Sequence, residues 1–148
     1  MIPLPMEVRD DGRIVHAWIE LEGVEPSEAI RAFTDPALLR EWWGGELEME
    51  PEPGGSYVVR FESQGWTLDG KVVTYHPESR LTFTWVWEHH SDAPLRGVKV
   101  RAEPAEAGTR LEIEHGPHGA SEAELEEADS HREGWLHFLP RIAACLSR

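Results

Sequence analysis

Residues 121–148 read SEAELEEADSHREGWLHFLPRIAACLSR, and the fold follows from what this stretch needs. Ser121 stands three residues before Glu124, a pattern in which a hydroxyl satisfies one free backbone N–H and a carboxylate reaches back to another. Glu122, Glu124, Glu126 and Glu127 place negative charge at the positive end of the helix dipole. At about 100° per residue, Ala128, Trp135, Leu139, Ile142, Ala143, Cys145 and Leu146 share one face, and Glu133, His137, Pro140, Arg141 and Arg148 the other. The spacing predicts one long amphipathic helix whose apolar stripe must be covered. Pro140 lies on the polar face and predicts a bend convex toward solvent. His131 and Arg132 hold angles that Ile142 and Ala143 occupy further along, and buried charge is expensive. The half from Ser121 to Arg132 is therefore expected to protrude or to border a cavity mouth, while Trp135 to Leu146 anchors the helix.

The cover for that stripe lies upstream. Asp10-Asp11-Gly12 signals a turn, of a short hairpin arm or after a leader over residues 1–12. Arg13 to Leu21 alternates, with Val15, Ala17, Ile19 and Leu21 inward and Trp18 on the more polar side. Two short helices follow, the first opened by Pro26, the second by Asp35 as cap and Pro36 at its first position. Gly44-Gly45 ends the second, whose apolar side carries Leu39, Trp42 and Trp43. From Glu46 the period becomes two, and about six strands run to Gly116 with short turns between them. Short turns imply antiparallel pairing, and one apolar face per strand implies a sheet covered on one side. The expected architecture is α+β, a curved antiparallel sheet wrapped around the long C-terminal helix.

At 148 residues the chain is expected to form a single domain. With 40% hydrophobic and 28% charged residues it is not a disordered sequence. A net charge of −14 disfavours nucleic acid and anionic membrane surfaces, whose binding rests on Lys and Arg. The lone Cys145 excludes an intramolecular disulfide and reads as a buried thiol, which suits a reducing cytoplasm. The first residues lack the basic and apolar blocks of a signal peptide, and no apolar run approaches ~20 residues.

Several stretches together resemble a known pattern: Phe33-Thr34-Asp35-Pro36-x-x-Leu39-x-x-Trp42-Trp43, Pro53-Gly54-Gly55-x-Tyr57, Leu81-x-Phe83-Thr84-Trp85, Gly108-Thr109-x-Leu111, and Glu133-Gly134-Trp135 through Leu139. The pattern is that of the homologues of the activator of the 90-kDa heat-shock protein ATPase, within the START-like (SRPBCC) superfamily. The likeness runs from about Arg13 to Leu146 and implies a helix-grip fold with a cavity between sheet and helix. The superfamily also holds lipid and hormone carriers, polyketide cyclases and self-sacrificing resistance proteins, so the resemblance carries no catalytic signature across.

The residues themselves point to a hydrophobic cavity. Tyr57, Phe61, Trp66, Phe83, Trp85 and Trp87 share the inward parity of their strands and face the helix that supplies Trp135. They are expected to wall a site for a flat or apolar ligand, with His115, His131 and Arg132 as polar contacts at its mouth. The same rings can instead fill a core. His89-His90-x-Asp92 and His115-x-x-His118 are the closest histidine groupings, but no zinc-ligand spacing occurs. Neither a metal nor a cofactor is expected, and no nucleophile elbow or phosphate loop is present. Three functions remain open. One is a non-catalytic binder of a small hydrophobic or aromatic molecule. A second is a cyclase- or hydrolase-type enzyme using His115 or His131. The third is a protein-interaction module, co-chaperone-like or homodimeric.

Overall fold

The computed structural model describes residues 6–9, 14–88 and 96–147. In chain order these form β1 Met6–Arg9, β2 Ile14–Glu22, α1 Pro26–Thr34, α2 Pro36–Trp43, β3 Glu46–Met49, β4 Ser56–Phe61, β5 Trp66–His76, β6 Arg80–Trp85, β7 Arg96–Ala105, β8 Gly108–Gly116 and α3 Glu122–Leu146. The strands make one sheet in the order β1-β2-β8-β7-β6-β5-β4-β3. Every neighbour is antiparallel. From β3 to β8 the sheet is a meander, and β2 joins it beside β8. The expected α+β helix-grip architecture is what forms. The Asp10–Gly12 turn, the His89-His90-x-Asp92 grouping and Arg148 lie outside the described residues.

Local chemistry places each helix. Asp35 caps α2 by accepting from the backbone of Ala37 at 2.9 Å and of Leu38 at 3.4 Å. Gly44 closes α2 in the left-handed region at φ 87°, which a side chain would strain. Arg141 of α3 donates to the carbonyls of Trp42 at 3.0 Å and Glu41 at 3.4 Å, satisfying groups at the end of α2. The helix α3 thereby sits on α2 as well as on the sheet.

The stripe of α3 is buried as its spacing predicts: Ala128, Trp135, Leu139, Ile142 and Cys145 are covered. The start of α3 differs from expectation. Ser121 does accept from the Glu124 backbone at 3.2 Å, but one oxygen of the Glu124 carboxylate takes Arg96 at 2.8 Å and the other meets the Ser121 hydroxyl at 3.4 Å, not a backbone N–H. A guanidinium is a stronger partner for it than a backbone N–H. Strand parity follows the sequence: in β8, Leu111, Ile113 and His115 are buried and alternate with half-buried Arg110, Glu112 and Glu114. Trp18 on the outer face is half-covered, with the Arg110 guanidinium 4.9 Å above its ring.

Candidate functional site

One end of the interior is not filled. A cavity of about 250 Å³ lies between the middle of α3, the end of α2 and the strand ends of β4, β5, β6 and β8. Its wall is a chain of rings. Trp43 stacks on Trp85 at 5.6 Å and meets Phe61 edge-on at 5.3 Å. Trp87 packs edge-on against Trp85 at 5.5 Å and against Trp66 at 5.8 Å. Trp66, 49% exposed, marks the side open to solvent. Ser130, His131, Gly134, Trp135 and Phe138 complete it from α3.

Seven of the ten residues expected at a cavity lie on this one: Phe61, Trp66, Trp85, Trp87, His115, His131 and Trp135. Three do not. Tyr57 and Phe83 stack on each other at 4.1 Å in the fully buried core, and the Tyr57 hydroxyl donates to the Phe33 carbonyl at 2.7 Å. They share the parity of the cavity rings but lie beneath α1, where the space is closed. Arg132 pairs with Asp129 at 2.7 Å along the helix and does not reach the cavity. The rotation of α3 sends position 132 sideways while position 131 points inward.

Trp43, Gln64, Ser130, Gly134 and Phe138 line the cavity without having been singled out. A signal for part of this was present: His131, Gly134, Trp135 and Phe138 are spaced i, i+3, i+4 and i+7, one face of a helix. The cavity therefore straddles the two halves of α3 instead of lying in the first. Gly134 is open space: a Cβ there would meet only the Phe138 ring, at 4.0 Å.

The polar wall is a histidine cluster. His115 is fully buried and accepts at Nδ1 from the Trp135 indole N–H at 3.1 Å. His131 stacks on it at 4.1 Å and 17°, and its Nδ1 shares a hydrogen bond with His118 Nε2 at 2.8 Å. Burial, with His131, His118 and Arg96 nearby, holds the His115 pKa well below the usual histidine range. Burial, then the charges of His118 and Arg96, lowers that of His131 to about 3. Both rings are therefore neutral at pH 7.

The nitrogens of His115, His118 and His131 lie within 4.8 Å of one another. Their arrangement does not fit a metal ion. Lone pairs lie in the ring planes, so the stacked His115 and His131 present theirs side by side instead of converging on a centre about 2.0–2.1 Å from each. The Trp135 indole already occupies His115 Nδ1, and His118 and His131 are bonded to each other.

Next to the cluster Arg96, 3% exposed, bridges Glu124 at 2.8 Å and Glu127 at 3.0 Å. This clamp ties the acidic first turns of α3 to β7. Arg96 had not been singled out from the sequence.

Comparison with known proteins bears on the fold and the family. The family model described as "Activator of Hsp90 ATPase homolog 1-like protein" matches residues 24–147. Among solved structures, protein MLL2253 from Mesorhizobium loti is 24% identical with a TM-score of 0.80, over 92% of this chain and 98% of that one. CalU16 from Micromonospora echinospora is 26% identical with a TM-score of 0.69, over 97% of this chain and 81% of that one. DynU16, described as "a putative protein in the dynemicin biosynthetic locus", is 26% identical with a TM-score of 0.76; the match covers 93% of this chain and 48% of that one. No curated protein matches the chain. With its family match running from the end of β2 to the end of α3, on a START-like (SRPBCC) helix-grip fold, the chain belongs to the Activator of Hsp90 ATPase homolog 1-like family.

Proposed function

We propose that this protein binds a small, flat hydrophobic or aromatic molecule in the tryptophan-walled cavity and does not transform it. The observation that carries this reading is an unfilled space of about 250 Å³, walled by aromatic rings and open beside Trp66. Protein interiors are normally close-packed, so rings left standing around a void are lining it. The volume lies just under the usual range of roughly 300–1,000 Å³ for ligand sites, which favours a bicyclic or tricyclic molecule. The placement of DynU16 in a biosynthetic locus supports a small molecule as the ligand.

Catalysis is the weaker reading. A general base works best with a pKa near the working pH, and His131 at about 3 is far too weakly basic. His115 is depressed in the same direction. The two rings serve better as neutral polar contacts.

The test is a thermal-shift panel of flat aromatic compounds on the wild type and on Gly134→Leu. A ligand at about 100 times its Kd adds about 2.7 kcal/mol, or roughly 5–11 °C in a domain of this size. Leucine at 134 would occupy the open space without leaving the helix, so the variant stays folded and loses the shift. A wild type unmoved by the whole panel, or a Gly134→Leu variant that still shifts fully, overturns the proposal.

A further inference from the structure

Among the described residues, four buried side-chain nitrogens have no hydrogen-bond partner: Trp85 Nε1, Arg96 Nε, His115 Nε2 and Arg132 Nε. Two of them, on Trp85 and His115, belong to side chains that wall the cavity. Both are donors, for separate reasons. An indole nitrogen can only donate. The Trp135 indole donates to His115 Nδ1 at 3.1 Å, so that nitrogen is the acceptor and the proton of the neutral ring sits on Nε2. The two rings stand 4.4 Å apart between centroids. A buried donor left unmatched is costly, and native proteins leave few of them.

We infer that the ligand carries a neutral carbonyl oxygen, of a ketone, quinone or ester, that accepts from Trp85 Nε1–H and His115 Nε2–H together. A carbonyl oxygen has two lone pairs, enough for both donors. Charge argues for a neutral acceptor over a carboxylate. Arg96, the buried cation beside the histidine cluster, already faces two carboxylates, Glu124 and Glu127, and the whole chain carries −14. Aromatic walls with a paired donor site at one end select a conjugated aryl ketone or quinone over a plain hydrocarbon. The inference rests on the binding proposal above and specifies its ligand class.

Calorimetric titration of the full chain with three probes of one ring isomer tests it: methyl naphthyl ketone, isopropenylnaphthalene, and naphthoate. The first two share a shape and differ by the carbonyl oxygen. The ketone is expected to bind about tenfold or more tighter than the alkene, as a rescued pair of buried donors implies. Its carbonyl stretch moves to lower wavenumber on binding, and naphthoate binds more weakly than the ketone. Trp85→Phe removes one donor, so it narrows the ketone's advantage over the alkene. Equal affinity for ketone and alkene overturns the inference and leaves the cavity a binding site. A preference for naphthoate overturns its neutral-acceptor part. No binding by any probe overturns the binding proposal and the inference with it. Where Trp85→Phe fails to fold, the wild-type affinity ratio and the carbonyl stretch decide the matter.

Discussion

Trp42 and Trp43 are neighbours in the chain and stack on each other at 5.1 Å and 8°, yet they belong to different regions of the molecule. Trp42 is fully buried, its indole N–H given to the Ala32 carbonyl at 2.7 Å. Phe33, 5.1 Å from it, is sealed in with it, and the buried Tyr57 hydroxyl is likewise matched to a backbone carbonyl. Trp43 is only partly buried and walls the cavity with Trp85, whose indole N–H has no partner. What separates a ring that fills space from a ring that lines it is the fate of the polar atoms nearby. At the sealed end they are satisfied by the protein. At the cavity end the Trp135 indole N–H is matched to His115, but Trp85 Nε1 and His115 Nε2 have no partner.

The largest effect that would sharpen this contrast comes from truncating each tryptophan. Trp42→Ala should lose about 3–5 kcal/mol in urea denaturation, the usual range for a core ring. Trp43→Ala should lose clearly less and yet abolish ligand-induced thermal shifts. Equal losses from the two would dissolve the distinction.

Acid should discriminate next. His115 and His131 are depressed in the folded state, against about 6.5 when unfolded. Between those values the unfolded chain binds more protons than the folded one, so stability is complete above pH 6.5 and falls as pH drops toward 3. The slope is about 1.4 kcal/mol per pH unit for each such histidine. Tyr57, raised by burial, stays neutral throughout and adds nothing in this window. Denaturation midpoints of wild type and His131→Gln from pH 7 to 5 should diverge, the variant showing the shallower fall. Parallel curves would remove His131 from the account.

The smallest effect has the opposite sign. Gly134→Ala should stabilise by about 1 kcal/mol, since glycine is a poor helix former and the site has room for a methyl group. A loss of stability would mean that position 134 is packed, not open.

The contrast also explains what the sequence disclosed. Period-two alternation and the apolar stripe of α3 were enough for the sheet, the long helix and their contact, because each depends on local spacing. The inward parity of Tyr57, Phe61, Phe83 and Trp85 was readable for the same reason. Which of them face a void was not, since that depends on where α1 closes over the sheet. Arg96 escaped because its role arises from a partner helix, and Gln64 because it sits in the turn between β4 and β5, outside any periodic pattern. Gly134 escaped because an absent side chain leaves no pattern.

Six of the seven tryptophans form one connected array. Trp42 touches Trp43 and Trp135, Trp43 touches Trp85, and Trp87 touches Trp85 and Trp66, with centroids 5.1 to 6.4 Å apart. Chromophores this close exchange excitation, so the array emits as one antenna instead of as six lamps. A guest that quenches Trp85 would dim Trp42 as well, although it never touches that ring. The molecule thus carries a built-in optical gauge of cavity occupancy, readable from its own ultraviolet emission without any label.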